Sequence, residues 1–152
     1  MKQIIALLLF FITAVAFSQS AAEKEVKQTI EKFFDGFHKG DTLGIKATLH
    51  NQLILQTVSR NREGETVLQQ EAPGAFLKAV AGRPADQKWE ERLLDVVIKV
   101  DGNMAHAWTP YEFWFNGTFH HCGVNSFQLF KEGNTWKIIY IIDTRRKEGC
   151  PQ

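Results

Sequence analysis

The sequence has only two cysteines, Cys122 and Cys150, which are too few for a zinc site built from cysteines. It has almost no excess of either charge, and it contains no internal repeat, low-complexity tract or linker. Its glycines do not gather into a loop of the kind that cradles phosphates, so no cofactor is predicted. These absences favour a single globular domain that uses no cofactor.

The one long apolar run lies at the start of the chain. Lys2 precedes an almost wholly apolar stretch from Ile4 to Phe17, and Ala16-Phe17-Ser18 resembles a signal peptidase site. We therefore predict a signal peptide over residues 1–18 and an exported domain, periplasmic or secreted, over residues 19–152. The run is shorter than the roughly 20 residues of a transmembrane helix, so no membrane association is expected after cleavage.

The charge of the predicted mature domain limits its partners. Loss of Lys2 reduces the 18 basic residues to 17, which equals the number of acidic residues. Nucleic acids and anionic membranes favour basic surfaces, so neither is expected as a partner. A disulfide between Cys122 and Cys150 is possible in an exported protein, but their spacing does not decide whether they meet.

The first half of the mature domain is predicted to be mainly helical. Ser20 and Glu23 form a capping box, and Gly40 ends the helix that follows. A short second helix is predicted to begin at Asp41 and a third at Pro73. The apolar residues that recur at helical spacing in the first helix are Val26, Ile30, Phe33, Phe34 and Phe37.

The second half is predicted to consist of strands. Two short strands, 53–58 and 65–68, come early, and four long ones cover 89–100, 104–115, 119–130 and 135–143. Turn signals such as Asp101-Gly102 and Asn116-Gly117 separate the long strands. The order predicts an α+β domain with helices packed on one face of a curved antiparallel sheet.

Several motifs of the strand region resemble those of small bacterial members of the nuclear transport factor 2-like superfamily. The motifs are Tyr111-Glu112-Phe113, His121-Cys122-Gly123, Trp136-Lys137-Ile138 and Asp143-Thr144-Arg145-Arg146. This superfamily includes SnoaL-like polyketide cyclases and ketosteroid isomerases, and the resemblance covers nearly all of the mature chain. It implies a cone-shaped sheet with N-terminal helices on its concave face, a pocket between them, and a homodimer through the outer sheet face. It does not imply one reaction, because this fold supports many.

Strand alternation predicts which side chains of the third long strand face the pocket. Counting back from Phe127 places Asn125 and His121 on the inner face and His120 on the outer face. Adjacent histidines would then point apart, so no metal site is predicted. His121 and Asn125 would lie about 13 Å apart along the strand, too far for a mutual hydrogen bond. Each is either satisfied by the backbone or lines the pocket.

Aromatic residues of the second long strand divide between its two faces. Tyr111, Phe113 and Phe115 share the face that we expect to be inside, and Trp108 lies on the other face. Such aromatics belong to a core more often than to a ligand platform. Pro110 disturbs the strand ladder and could shift this alternation by one residue. Trp108 and Tyr111 are therefore both candidate ligand contacts, and a buried Tyr111 hydroxyl would need a polar partner.

Two further candidate groups lie at the ends of predicted elements. Regular alternation places Asp143 on the face of the last strand opposite to Trp136 and Ile138. Asp143 and Arg145 alternate on one face and could hold each other, position His121 or bind a substrate carboxylate. The resemblance places His50 at the mouth of the pocket, although a histidine at the end of a helix is also favoured by the helix dipole alone. Both faces of the last strand are apolar after Lys137, and a second subunit is the simplest cover for the outer one.

Three functions are compatible with these residues. The first is a protein that binds a small hydrophobic or mixed-polarity ligand in the pocket. The second is a SnoaL-like enzyme of isomerase, cyclase or dehydratase type, with His121 or Asp143 as base and Tyr111 or Asn125 as oxyanion donor. The third is a structural dimerisation domain. The sequence shows no carboxylate that is clearly isolated on an apolar strand face, which an isomerase would need.

Overall fold

The computed structural model describes residues 20–151, so the predicted signal peptide and its cleavage site lie outside the described residues. Three helices and seven strands make up this part of the chain. In chain order they are α1 (Ala21–Lys39), α2 (Thr42–Thr48), β1 (Leu49–Arg60), β2 (Thr66–Glu71), α3 (Pro73–Ala81), β3 (Trp89–Leu93), β4 (Val97–Asp101), β5 (Met104–Phe115), β6 (Thr118–Glu132) and β7 (Thr135–Thr144). In the described part of the chain, no helix combines the length and the apolarity needed to cross a membrane.

The boundaries of α1 follow the predicted capping signals. The Ser20 hydroxyl accepts a hydrogen bond from the Glu23 N–H, and the Glu23 carboxylate accepts one from the Ser20 N–H, which confirms the capping box. Gly40 ends the helix at a φ of 75°, a left-handed conformation that glycine adopts without strain. The predicted apolar face of α1 is buried, and Phe34 packs edge to face on Phe127 of the sheet.

The strands form one curved sheet that does not close on itself within the described residues. Its order is β2-β1-β7-β6-β5-β3, and β4 continues along the same edge of β5 as β3. The α+β class and the helices packed on the sheet confirm the predicted fold. The pairing of β1 with β7 is parallel, however, which corrects the prediction of a wholly antiparallel sheet. Because β7 returns beside β1 only after a long crossover, the two strands can run in the same direction.

The predicted strand 89–100 is interrupted at residues 94–96, which separates β3 from β4. Pro110 of β5 lies opposite this gap and has no N–H to contribute to a strand ladder. Its carbonyl accepts a hydrogen bond from the Leu94 N–H at 2.8 Å, and the Asp95 carboxylate accepts one from the Val96 N–H at 2.7 Å. The break between β3 and β4 therefore originates at Pro110 in the neighbouring strand β5.

A β-bulge on β6 overturns one orientation predicted from alternation. Phe113 of β5 pairs with His121, but the next residue, Trp114, pairs with Phe119, so His120 is an extra residue in β6. The extra residue is turned back toward its neighbour. The side chains of His120 and His121 therefore lie together, which corrects the prediction that they point to opposite faces.

A second bulge lies on β7. Ile138 and Tyr140 pair with neighbouring residues of β6, which leaves Ile139 as the extra residue. The bulge shifts the alternation by one position, so Ile141 and Asp143 are buried on the helix side of the sheet. This corrects the prediction that placed Asp143 on the face opposite to that of the first apolar residues of the strand.

A disulfide holds the end of the chain against the sheet. Cys122 of β6 and Cys150 are bonded, with their Cα atoms 5.8 Å apart. The backbone of Cys122 also exchanges two hydrogen bonds with Arg146. Residues beyond β7 are therefore held beside β6 at two points, an arrangement that sequence spacing left open.

Candidate functional site

A cavity of about 410 Å³ lies between α1, α3 and the sheet. Its wall is mainly aromatic, with ionisable and amide side chains among the rings. The aromatic residues are Phe33, Phe34, Phe37, Phe76, Trp89, Tyr111, Phe113, Phe115 and Phe127. The ionisable and amide residues are Gln56, Glu71, Gln87, Glu91, His120, His121, Asn125, Asp143 and Arg145. Exposed His120 and Arg145 lie where the cavity opens to solvent.

Glu91 is the carboxyl group placed among these rings. It alternates on β3 with Trp89 and Leu93, so its side chain shares their inward face. Glu91 Oε1 accepts a hydrogen bond from Asn125 Nδ2 at 2.6 Å. Burial raises the pKa of Glu91 to about 8, and the charge of Asp143 adds to the effect. At neutral pH this carboxyl group is therefore mainly protonated.

The backbone of Glu91 is fixed by His38, near the C-terminus of α1. The Glu91 N–H donates to His38 Nε2 at 3.0 Å. Burial lowers the pKa of His38, which keeps the ring neutral and Nε2 able to accept. The carbonyl of His38 in turn accepts a hydrogen bond from Arg83 at 2.9 Å. The helix end and strand β3 are thus joined at the residue that carries the cavity carboxyl.

Asp143 is the centre of a second polar group, in which three side chains donate hydrogen bonds to its carboxylate. It accepts hydrogen bonds from the Thr57 hydroxyl, from the Tyr111 hydroxyl at 3.2 Å and from Arg145 Nε at 2.8 Å. The Tyr111 hydroxyl also lies 3.0 Å from the carbonyl of Thr144, a second acceptor. Burial holds the pKa of Tyr111 well above its ordinary value, so the hydroxyl stays protonated. Three of the roughly four acceptor positions of this carboxylate thus face donors of the protein itself.

The two histidines of the β6 bulge share a hydrogen bond between their Nδ1 atoms at 2.8 Å. The His121 ring also stacks on Phe113 with centroids 5.0 Å apart. Burial lowers the pKa of His121 to about 4, with Arg145 and His120 contributing. His121 is therefore neutral near pH 7 and is a weak base. Across residues 20–151, no three His, Cys, Asp or Glu side chains are arranged to hold a metal ion.

The structure brings five of the seven candidate residues into the cavity wall. They are Tyr111, His121, Asn125, Asp143 and Arg145. Tyr111 shares this wall with Phe113 and Phe115, which confirms the predicted inward face of β5.

His50 and Trp108 do not line the cavity, so their role as ligand contacts stays a prediction. Helix α2 ends at Thr48, so His50 belongs to β1, where its ring packs edge to face on Phe130 at 5.2 Å. Trp108 alternates with the inward residues of β5 and is 47% exposed on the outer face.

Sequence reasoning missed Glu91, although a signal for it existed. In Trp89-Glu90-Glu91-Arg92-Leu93, strict alternation places Glu91 between two large apolar side chains. The prediction of one strand over residues 89–100 does not separate this short alternating segment from β4. Gly123 allows a close approach of two backbone segments, because a Cβ atom there would lie 1.7 Å from the Thr144 carbonyl oxygen.

Comparison with known proteins gives one family match and many similar folds. The family described as "Putative lumazine-binding" matches residues 21–140. None of the curated proteins matches the chain.

Solved structures with the same fold include three bacterial proteins. An NTF2-like protein from Cytophaga hutchinsonii is 14% identical, with a TM-score of 0.64 over 84% of this chain and 100% of that one. An NTF2-like protein with a cystatin-like fold from Novosphingobium aromaticivorans is 15% identical, with a TM-score of 0.63 over 83% and 82%. A "putative dehydratase from the NTF2-like family" from Streptomyces avermitilis is 14% identical, with a TM-score of 0.61 over 82% and 95%. At these identities the likeness shows the fold alone.

Proposed function

The chain belongs to the family described as "Putative lumazine-binding", within the nuclear transport factor 2-like superfamily, and from that premise we propose that its cavity binds a small, largely apolar molecule. The observation that carries this proposal is the aromatic cavity of about 410 Å³, whose wall contains the hydrogen-bonded groups of Glu91 with Asn125 and of Asp143 with Arg145. Small-molecule sites have volumes of about 300–1,000 Å³ and combine apolar walls with a few polar anchors.

The polar anchor gives the ligand a chemical character. Glu91 Oε1 accepts from Asn125, so the proton of the neutral Glu91 carboxyl group is available to an acceptor on a ligand. A carbonyl oxygen is such an acceptor. An aromatic or heterocyclic body with a carbonyl edge would stack on the ring-lined walls and receive this hydrogen bond. Lumazine, which the family description names, has this chemistry.

A pair of matched variants tests whether the cavity binds ligands. Ala75 and Ala79 are both exposed on α3, but of the two only Ala79 lines the cavity. Ala79→Phe should fill part of the cavity and abolish the fluorescence increase of Nile red, a neutral apolar probe. Ala75→Phe should leave that increase unchanged, and lumazine should compete with the probe in the wild type. If the wild-type protein does not bind Nile red or lumazine, the proposal fails.

A second candidate function is proton-transfer catalysis, which is favoured by the raised pKa of Glu91. The engagement of Asp143 by three donors and the low pKa of His121 argue against those two residues as bases. We therefore propose Glu91 in the role that the sequence hypotheses gave to His121 or Asp143. The "putative dehydratase" among the similar folds is compatible with such chemistry.

Deuterium exchange next to the carbonyl of 2-tetralone, followed by NMR, tests this second function. If the Glu91 carboxylate is the base, the rate should rise as pH passes through about 8, the pKa of Glu91. Glu91→Gln should abolish the enzyme-dependent exchange. Exchange that persists in Glu91→Gln would rule out this role for Glu91.

Export and dimerisation complete the proposal. The predicted signal peptide and the Cys122–Cys150 disulfide support an oxidising compartment outside the cytoplasm. Large apolar side chains on the outer sheet face, such as Ile54 and Trp108, support a homodimer through that face. N-terminal sequencing should find cleavage after Ser18, and sedimentation at micromolar concentration should find a dimer. A monomer would refute the dimer proposal alone.

A further inference from the structure

A groove of about 690 Å³ adjoins the opening of the cavity. It lies between the end of β1, the start of β2, the bulge of β6 and the residues after β7. The groove and the cavity share His120, His121 and Arg145 in their walls. The cavity and the groove therefore adjoin at these three residues.

Positive charge is concentrated in this groove. Its wall contains Arg60, Arg145, Arg146 and Lys147, and Glu148 is the acidic residue among them. Of the ion pairs between described residues, none involves Arg60, Arg146 or Lys147. The whole chain has a formal net charge of only +1, so the positive groove is a local feature.

Backbone hydrogen bonds fix the basic segment Arg145–Lys147 against β1 and β6. The Arg145 N–H donates to the carbonyl of Val58 in β1 at 3.0 Å, and the Arg146 N–H donates to the carbonyl of Cys122 in β6 at 3.0 Å. The Cys122–Cys150 disulfide then anchors the chain to β6 again, a few residues after this segment. Three consecutive basic residues therefore extend from a fixed backbone beside the cavity opening.

Among the described residues, Arg145 is the only one of the four basic side chains in the groove that forms an ion pair with an acidic group of the cavity. Asp143 already pairs with Arg145 through Nε, which leaves the two terminal nitrogens of that guanidinium as donors. Glu91 is mainly protonated at neutral pH. Glu71 lies at the opposite end of β2 from Thr66, the residue of that strand in the groove wall.

We propose that the groove binds the anionic head group, a carboxylate or phosphate, of a ligand whose apolar part occupies the cavity. This inference rests on the function proposed for the cavity. Guanidinium groups form paired, charge-assisted hydrogen bonds with both kinds of head group, and lysine adds a point charge. The cavity selects the body of the ligand, and the groove selects its charge.

Calorimetric titration with decanoate, decyl phosphate and decanol tests the inference, because these probes differ in their head groups. At least one anionic probe should bind on the order of tenfold more tightly than decanol, as expected for charge-assisted hydrogen bonds. Added salt should reduce this preference. Whichever anionic probe binds more tightly identifies the head group.

The combined variant Arg60→Gln, Arg146→Gln, Lys147→Gln should lose most of the preference for the anionic probes. Lys99→Gln, an exposed change on β4 outside the groove, should keep it. If wild-type protein binds all three probes equally, or if salt has no effect, the inference fails while the proposed function stands. If no probe binds and Nile red also fails to bind, both fail.

Discussion

The two ends of the sheet are built from the same strands, but one end is part of the apolar core and the other lines the cavity. At one end, Leu129 of β6 and Ile138 of β7 are fully buried in one apolar cluster with Ile30 of α1. At the other end, Asn125 of β6 and Asp143 of β7 enter the cavity wall. On β7 a bulge separates the two ends. The first end thus forms the core, and at the other end the two bulges bring His120 and Asp143 to the cavity that Glu91 and Asn125 also line.

The largest expected effect tests the core end. Leu129→Ala should reduce the free energy of unfolding by about 2–5 kcal/mol, because it leaves a cavity in a fully buried cluster. Met104→Ala on β5 is a matched control, since Met104 is 57% exposed and should cost less than about 0.5 kcal/mol. Urea denaturation measures both. Equal effects would show that Leu129 is not in a closed core.

The disulfide tests the cavity end. Cys122→Ser combined with Cys150→Ser should lower the free energy of unfolding by about 2–4 kcal/mol, since the bond closes a loop across a separation of 28 residues. Denaturation with and without a reducing agent gives the same comparison in the wild type. No response to the reductant would contradict the pairing.

Gly123 tests how closely the strands approach at the cavity end. Gly123→Ala should cost about 1–3 kcal/mol, because its Cβ would lie 1.7 Å from the backbone oxygen of Thr144. Gly74→Ala on α3 is the control, since a Cβ there meets no atom within 4 Å. Thermal unfolding distinguishes the two variants. A neutral Gly123→Ala would mean that Thr144 can move away at little cost.

The last effect depends on pH and belongs to Glu91. Its pKa is raised from 4.5 to about 8, so the folded protein retains a proton that the unfolded chain releases in this interval. The wild type should therefore lose stability as pH rises from 4.5 to 8. Glu91→Gln keeps the acceptor for Asn125 and has no charge to bury, so it should be more stable at pH 8 by at most about 5 kcal/mol, at about 1.4 kcal/mol for each pKa unit.

The matching control is the same variant at acid pH, where both proteins have a neutral side chain at position 91. The two unfolding curves should then nearly coincide. A constant difference between variant and wild type across this pH range would show that ionisation of Glu91 is not the cause.

The comparison of the two ends also explains what the sequence could predict. The capping box at Ser20 and the inward face of Tyr111 depend on local geometry and regular alternation, and both were predicted. The orientations of His120 and Asp143 were not, because each depends on a bulge that is defined by pairing with a neighbouring strand. Glu91 follows regular alternation within β3, but the sequence predicts a single strand over residues 89–100, which obscures the alternation of its first half.

The disulfide could not be predicted for a different reason. Cys150 lies beyond the last strand, and its position depends on where the tail packs against β6. The same contact places Arg146 and Lys147 beside the cavity. The charge distribution that we connect with ligand selection is therefore a property of tertiary structure, hidden in a sequence of nearly balanced charge.

The most direct test of this account is an NMR titration of the Glu91 carboxyl carbon, assigned by comparison with Glu91→Gln. The account predicts a midpoint near pH 8, which would establish a neutral carboxyl group held among the aromatic rings of the cavity. A midpoint near the ordinary value of 4.5 would contradict it. Glu91 would then be an ionised, solvated side chain, and the cavity would lack the hydrogen-bond donor on which its proposed ligand chemistry depends.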